Sequence, residues 1–212
     1  MPYKLVIFDF DGTLADTFPW FVQHVHQASA KFKFRRVEDA EIPLLRKRSA
    51  REVIDHLGIP FWKIPLIARH MQAAMAVDAA KIQLFDGIDL ALRELRESGV
   101  TLAVVSSNVE RNVRAVLGEE LAGLVSVFEC GASLFRKAAK FQRVLKRTGV
   151  AREEAICIGD EIRDHEAAET AGIGFGAVCW GYTDPAALSE RGPEMVIERV
   201  EELAGGIVGV VR

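Results

Sequence analysis

The first strand-like stretch of the chain, residues 4–17, constrains the fold more than any other feature. The apolar run Leu5–Phe8 ends abruptly at two acids, Asp9 and Asp11, and Gly12 follows them. A short continuous apolar run is typical of a parallel strand that is covered on both faces. Side chains two residues apart on an extended chain point the same way, so both carboxylates can address one bound group. We therefore predict a buried strand with a reactive tip.

Two carboxylates at the end of a buried strand need a compensating cation, because an unpaired buried charge is costly. Mg²⁺ is a hard ion that takes oxygen ligands and often accompanies phosphate, so it is the expected cofactor. The alternative is that Asp9 and Asp11 are turn residues, since Asp-Gly is a common turn signal. Turn chemistry does not require the acid at position 9.

Composition limits the class of protein and of partner. The chain has 212 residues, half of them apolar, which is enough for one large domain or for a core with an insertion. A net charge of −3, with acids and bases interspersed, indicates neither a nucleic-acid surface nor a membrane surface. We expect a small-molecule partner, no signal peptide or membrane span, and a monomer or homodimer. The scattered Cys130, Cys157 and Cys179 fit reduced thiols and a cytoplasmic location.

The region from residue 16 to residue 82 reads as an all-helical insertion. Apolar side chains recur at helical spacing from Trp20 to Ala28, and helix-like segments follow near 49–57 and 62–77. Prolines punctuate the region and are each predicted at a helix boundary: Pro43, Pro60 and Pro65.

After residue 83, strand-like and helix-like segments alternate, which predicts right-handed βαβ units and a parallel sheet. The predicted strands after the first are 101–105, 125–130, 155–158, 175–180 and 195–197. The fold class is therefore α/β, a three-layer Rossmann-like core of residues 1–15 and 83–212 with an inserted all-α cap of residues 16–82.

Ligands bind such sheets outside the carboxyl ends of the strands, and polar residues follow three of the predicted strands. Asp9 and Asp11 follow the first strand, Ser106 and its neighbours follow the second, and Asp160 follows the fourth. We expect these three ends to converge.

Four motifs in this order resemble the haloacid dehalogenase superfamily of hydrolases, in the phosphoglycolate-phosphatase-like branch with a small helical cap. They are Asp9-Phe-Asp-Gly-Thr13, Ser106, a lysine near 137, and Gly159-Asp160-Glu-Ile-Arg-Asp164. The resemblance covers nearly the whole chain.

The resemblance implies a Mg²⁺-dependent phosphatase in which Asp9 is the nucleophile and forms an aspartyl-phosphate. It gives the metal ligands as Asp9, the backbone carbonyl of Asp11, and Asp160. Asp164 is a further ligand or holds a metal-bound water. Asp11 is the general acid for the leaving alcohol and then the base for water.

The phosphate-binding residues implied by the resemblance are Thr13, Ser106, Ser107, Asn108 and Lys137. Lys137 neutralises phosphate charge as a point cation. Relatives carry Lys-Pro at this point, whereas this chain has no proline there, so Lys140 is an alternative. The lysine that does not bind phosphate is expected to be a solvated charge on the helix surface.

Selectivity is expected from the insertion, which would act as a lid. Arg48 or Arg51 is hypothesised to meet a second anionic group of the substrate, although a solvated basic helix face explains them equally well. The predicted substrate is a small phosphorylated metabolite, phosphoglycolate-like or a sugar phosphate. Two alternatives stay open, a phosphosugar mutase of the same superfamily and a non-catalytic phospho-ligand-binding or regulatory module.

Overall fold

The computed structural model describes residues 3–131 and 136–209. Strands of this part of the chain are β1 (Leu5–Phe8), β2 (Thr101–Val105), β3 (Val125–Glu129), β4 (Ala155–Gly159), β5 (Gly174–Val178) and β6 (Met195–Ile197). They form one six-stranded sheet in the order β3-β2-β1-β4-β5-β6, and every neighbouring pair is parallel. Because β1 lies between β2 and β4, the polar residues that follow these three strands are brought side by side.

Every regular element between β1 and β2 is helical. The insertion contains α1 (Phe18–Phe32), α2 (Ile42–Leu45), α3 (Ala50–His56) and α4 (Ile64–Asp78), and short 3₁₀ turns join them. Pro43 and Pro65 lie in the first turns of α2 and α4, and Pro60 precedes a 3₁₀ turn, as predicted for helix boundaries. The predicted all-helical character of this region is confirmed.

Helices cover both faces of the sheet and complete the predicted three-layer α/β core. These helices are α5 (Ile88–Glu97), α6 (Glu110–Leu124), α7 (Lys137–Thr148), α8 (Ile162–Ala171), α9 (Pro185–Ser189) and α10 (Leu203–Val208). Alternate residues of β1 point to opposite layers, so Val6 and Phe8 pack with α5, α6 and α10, whereas Leu5 and Ile7 pack with α7 and α8. Because apolar helices pack on both faces of the sheet, β1 is buried along its whole length.

One helix is longer than its sequence pattern predicts. The apolar spacing predicts a helix over 109–117, but α6 continues to Leu124 through a break at Gly118, where φ is 74°. Glycine adopts this left-handed conformation at little cost, so the chain can bend and resume its helix.

The segments that lead into and out of the insertion run side by side. The backbone N–H of Asp16 donates to the carbonyl of Gln83 at 2.9 Å, and that of Phe85 donates to Leu14 at 3.0 Å. An antiparallel bridge pairs Ala15 with Leu84 between these bonds. The division into a core of residues 1–15 and 83–212 and a cap of residues 16–82 stays a prediction, and this pairing lies at its boundary.

Two further observations bear on the chain as a whole. All three cysteines are free, as predicted, but only Cys157 is fully buried. Among the described residues, the helices are all too short or too polar to cross a bilayer.

Candidate active site

The predicted acids converge at the carboxyl edge of the sheet. Asp9 lies at the end of β1, Asp160 at the end of β4, and Asp164 in the first turn of α8. All three are buried, and each offers a carboxylate oxygen within 4.8 Å of the others. A cluster of this kind requires positive charge nearby.

Lys137 supplies part of that charge from the first residue of α7. Its Nζ lies 2.8 Å from Asp9 Oδ1 and 2.6 Å from Asp164 Oδ1. Burial alone would lower the pKa of Lys137, but Asp164 and Asp9 outweigh it and raise that pKa, so the ammonium stays charged. Of the two candidate lysines, Lys137 is the one that contacts Asp9.

The expectation that the other lysine is a solvated helix charge is wrong. Lys140 is buried, and its Nζ donates to the carbonyl of Ser106 at 2.6 Å and to that of Gly131 at 2.8 Å. Lys137 and Lys140 are three residues apart, so both project from the same inward face of α7. Lys140 therefore fastens the loop after β2 to the loop after β3.

Asp160 is held by two donors. Thr13 Oγ1 donates to its Oδ1 at 2.6 Å, and the backbone N–H of Tyr182 donates to its Oδ2 at 2.7 Å. Burial, followed by the charges of Glu161 and Asp9, raises the pKa of Asp160 well above its usual range. The prediction that Thr13 binds phosphate fits this geometry poorly, because a phosphate oxygen needs the hydroxyl proton that Asp160 already takes.

Two glycines allow the backbone to close around Asp160. Gly12 has φ of 83°, and a Cβ there would lie 2.3 Å from Asp160 Oδ2. At Gly181 a Cβ would lie 2.2 Å from Asp160 Cβ. Both distances are far inside van der Waals contact, so any side chain at either position displaces the carboxylate.

Asp9 is the one acid of the cluster with an unused oxygen. Its Oδ2 is buried and has no hydrogen-bond partner among the described residues, while Oδ1 faces Lys137. As at Asp160, burial raises the pKa of Asp164, although Lys137 opposes this shift. The cluster thus holds more negative charge than Lys137 offsets, and its oxygen donors fit a hard divalent cation such as Mg²⁺.

Asp11 is placed differently from Asp9, since it faces a cavity between the sheet edge and the insertion. Ser106 Oγ donates to Asp11 Oδ2 at 3.4 Å and accepts the backbone N–H of Asn108 at 2.9 Å. Burial and then the charge of Asp9 raise the pKa of Asp11 to about 7, although Arg163 opposes the shift. A carboxyl group with such a pKa can both give and take a proton at neutral pH.

The rest of the predicted phosphate loop is tied to the insertion. The carbonyl of Ser107 accepts Gln72 Nε2 of α4 at 2.7 Å. The side-chain oxygen of Asn108 accepts the backbone N–H of Val109 and the amide of Asn112, at 2.9 and 3.0 Å. Ser106, Ser107 and Asn108 are therefore brought together, but the amide group of Asn108 is engaged by its neighbours.

The basic cluster of the insertion divides into different environments. Arg48 lines the cavity that reaches Asp11, whereas Arg51 is exposed and is not among the described residues that line it. Arg46, for which no role was predicted, donates through Nε to the carbonyl of Tyr182 at 2.9 Å and through a terminal nitrogen to that of Gly181 at 2.8 Å. Arg46 thus connects the insertion to the loop that holds Asp160.

The family model for haloacid dehalogenase-like hydrolases matches residues 6–178, which include every strand end of this site. The chain belongs to the haloacid dehalogenase-like hydrolases. This membership confirms the resemblance drawn from the four motifs, and it confirms that the chain is an enzyme.

Relatives of this hydrolase match nearly its whole length. A phosphoglycolate phosphatase of Synechococcus elongatus is 29% identical over 210 residues, with 99% of each chain covered. Phosphoglycolate phosphatase 1 of Pseudomonas aeruginosa is 27% identical, and the match covers 94% of this chain and 78% of that one. The structure of a haloacid dehalogenase-like family protein of Streptococcus pneumoniae superposes with a TM-score of 0.78 at 20% identity, covering 96% of this chain and 98% of that one. The structural likeness shows the fold.

Proposed function

We propose that this hydrolase is a Mg²⁺-dependent phosphatase that cleaves a small phosphorylated metabolite through an aspartyl-phosphate on Asp9. The observation that carries this proposal is the buried Oδ2 of Asp9, beside the Lys137 ammonium, which has no hydrogen-bond partner in the described part of the chain. A carboxylate oxygen without a hydrogen bond is available as a nucleophile or metal ligand, whereas a structural acid uses both oxygens. The names of the sequence relatives support phosphoryl chemistry.

In the first step, an Asp9 oxygen forms a bond to phosphorus while the bond from phosphorus to the ester oxygen breaks. Asp11 donates its proton to that oxygen, so the leaving group departs as a neutral alcohol. Hydrolysis of phosphate monoesters can require acceleration of up to about 10²¹-fold, and a covalent intermediate divides this barrier between two steps.

In the second step, Asp11 is a carboxylate and takes a proton from water as the water oxygen attacks phosphorus. The bond between phosphorus and Asp9 breaks, inorganic phosphate leaves, and Asp11 regains its proton. Lys137 offsets charge on Asp9 and the phosphoryl group throughout, and Asp164 holds that ammonium in place.

The residues that would hold Mg²⁺ are Asp9, Asp160 and the backbone carbonyl of Asp11, with Asp164 close by. When bound, the ion would relieve the repulsion between the Asp9 carboxylate and an anionic phosphate. Thr13 and the backbone N–H of Tyr182 orient Asp160, so we assign Thr13 to positioning rather than to phosphate binding. Ser106, with the backbone N–H group of Ser107, is the proposed phosphate cradle, while the backbone N–H of Asn108 donates to Ser106 Oγ and so supports this cradle.

Hydrolysis of p-nitrophenyl phosphate tests the proposal directly. Wild-type activity should require Mg²⁺ and disappear in excess chelator. Asp9→Asn should lower kcat by about 10⁴-fold or more, the order expected when a covalent nucleophile is lost. Asp16→Asn, which changes an exposed acid at the start of the insertion, is the matched control. Activity that persists in Asp9→Asn or without metal would overturn the assignment.

A second assay on the same protein distinguishes a phosphatase from a phosphosugar mutase, which would also use two aspartates. Incubation with a hexose 1-phosphate should release inorganic phosphate if the enzyme is a phosphatase. Accumulation of the hexose 6-phosphate without free phosphate would establish the mutase instead.

A further inference from the structure

An apolar cavity lies between the insertion and the carboxyl edge of the sheet. Its volume is about 320 Å³, and it reaches Asp11, Ser107 and Asn108 at the proposed phosphate site. Apolar side chains of α1 and α4 form much of its wall, namely Phe21, Val22, Val25, Ile67, Met71 and Met75. A group attached to a phosphate at the sheet edge would extend into this space.

The apolar side chains of the insertion pack against one another only in part, in a small cluster around Val37, Leu45 and Leu57. Between residues 18 and 81, the fully buried hydrophobic residues are Ala28, Val37, Leu45, Leu57 and Met75. Val22, Val25, Ile67 and Met71 are only partly buried, and the surface they leave open lines the cavity. Protein interiors are normally packed to the density of organic crystals, so an open apolar space of this size is costly unless something fills it.

Charged groups at the cavity are mostly engaged within the protein. The guanidinium of Arg46 donates to two backbone carbonyls. A terminal nitrogen of Arg163 is paired with Glu161, while its buried Nε has no hydrogen-bond partner among the described residues. Arg48 lines the cavity and lies 3.4 Å from His56 Nδ1. Among the described residues, Arg48 and the Nε of Arg163 are therefore the cationic donors that could receive a carboxylate, whereas most of the lining side chains are apolar.

We propose that the substrate is a phosphomonoester whose alcohol carries an extended apolar group, and that this group fills the cavity of the insertion. The inference rests on the proposed phosphatase function and narrows its substrate class. The volume is near the lower limit of about 300 Å³ for pockets that enclose organic ligands. Met71 and Met75 have flexible thioether side chains that adapt to the shape of an apolar partner.

A series of n-alkyl phosphates from ethyl to octyl tests this inference through kcat/KM. Each buried methylene contributes about 0.8 kcal/mol, which corresponds to roughly a fourfold increase per carbon until the cavity is full. Hexyl phosphate should therefore be a better substrate than phosphoglycolate by about tenfold or more. Equal kcat/KM along the series, or a preference for phosphoglycolate over hexyl phosphate, would overturn the inference while the phosphatase proposal stands.

Binding separates this inference from the catalytic proposal. Dissociation constants of n-alkylphosphonates, measured by calorimetry with Mg²⁺ present, do not require turnover. Affinity that rises about fourfold per methylene supports an apolar pocket even if no phosphate ester is hydrolysed. Affinity that is independent of chain length contradicts it, whatever the activity.

A matched pair of variants on α4 locates the effect. Ala68 lines the cavity, whereas Ala73 on the same helix is exposed. Ala68→Leu adds three carbons to the cavity wall and should lower the hexyl-to-ethyl ratio of kcat/KM by roughly tenfold or more. Ala73→Leu should leave that ratio unchanged, and thermal unfolding of both variants verifies that they fold. An equal ratio in wild type and Ala68→Leu would show that the alkyl group lies elsewhere.

Discussion

The carboxyl edge of the sheet and the helical insertion contribute to one cavity, but they are built in opposite ways. At the sheet edge, Asp160 and Asp164 are fully buried, and each has a donor at both oxygens. The insertion leaves most of its apolar side chains partly open around a cavity. Under the two proposals above, this contrast means that the reacting groups are fixed on rigid strand ends, while the substrate completes the packing of the helices that recognise it.

The largest effect that this contrast predicts is at Asp11. Asp11→Asn removes the proposed proton donor, so kcat for alkyl phosphates should fall by about 10²- to 10⁴-fold. The loss in the first step should be smaller for p-nitrophenyl phosphate, because its leaving group needs no protonation. Acid-quenched protein should then carry phosphate on Asp9, since water lacks its base in the second step. An equal loss of both steps, without trapped phosphoprotein, would contradict the assigned role.

A second test concerns the tight packing of the sheet edge. Gly181→Ala places a methyl group 2.2 Å from Asp160 Cβ. Overpacking of this kind costs about 1–3 kcal/mol of unfolding free energy, and the displaced carboxylate should weaken Mg²⁺ activation by roughly tenfold.

The control for that test is Gly123→Ala in α6, where no described atom outside the neighbouring helix backbone lies within 4 Å of a new Cβ. This change should stabilise the protein by about 0.4–1 kcal/mol and leave Mg²⁺ activation unaltered. Urea denaturation and metal titration measure both quantities. Wild-type metal activation in Gly181→Ala would show that the sheet edge is looser than described.

A third, smaller effect is expected where the two regions meet. Arg46→Met removes two hydrogen bonds from the insertion to the loop of Gly181 and Tyr182. Hydrogen bonds that involve a charged group contribute about 1.5–3 kcal/mol each after exchange with water, so a loss equal to one of them in substrate binding should raise KM by roughly tenfold or more. Because the reacting groups lie on the core, kcat should change little. Arg51→Met, at an exposed site, should alter neither constant.

The smallest effect concerns Lys140, and it depends on pH. Burial lowers the pKa of Lys140 from 10.5 to about 8, with Lys137 adding to the shift and Cys130 opposing it. The unfolded chain therefore binds more protons than the folded chain between pH 8 and pH 10.5, so this residue's contribution to stability rises with pH across that window.

Comparison of wild type with Lys140→Met isolates this contribution from other titrating groups. The difference in Tm should move in favour of wild type from pH 8 to pH 10, by the equivalent of about 2 kcal/mol. A difference that stays constant over this range would place Lys140 in a solvated environment.

The sequence predicts the α/β core well because each strand is marked by a short run of neighbouring residues. The apolar runs that end in acids place Asp9 and Asp160 directly after strands, and the alternation of elements then brings β1 and β4 together. The placement of Lys137 beside Asp9 was open to question without its usual proline, and only the three-dimensional contact distinguishes it from Lys140.

Other contacts leave no signal in the sequence. Tyr182 donates a hydrogen bond to Asp160 from its backbone N–H, which any residue except proline could supply. Arg46 belongs to a basic cluster that is visible in the sequence, but its partners are carbonyl groups 135 and 136 residues away. The cavity of the insertion is equally hidden, because helical periodicity shows which side chains turn inward and not whether they meet.

The paired segments at residues 14–16 and 83–85 have a consequence for how such a protein diversifies. Because the chain leaves and rejoins the sheet through adjacent hydrogen-bonded residues, a different helical cassette could be grafted between Ala15 and Leu84 without moving either anchor point. A new specificity would then need no change in the reaction chemistry, and the scaffold would tolerate exchange of the whole module more readily than alteration of a single strand-end acid.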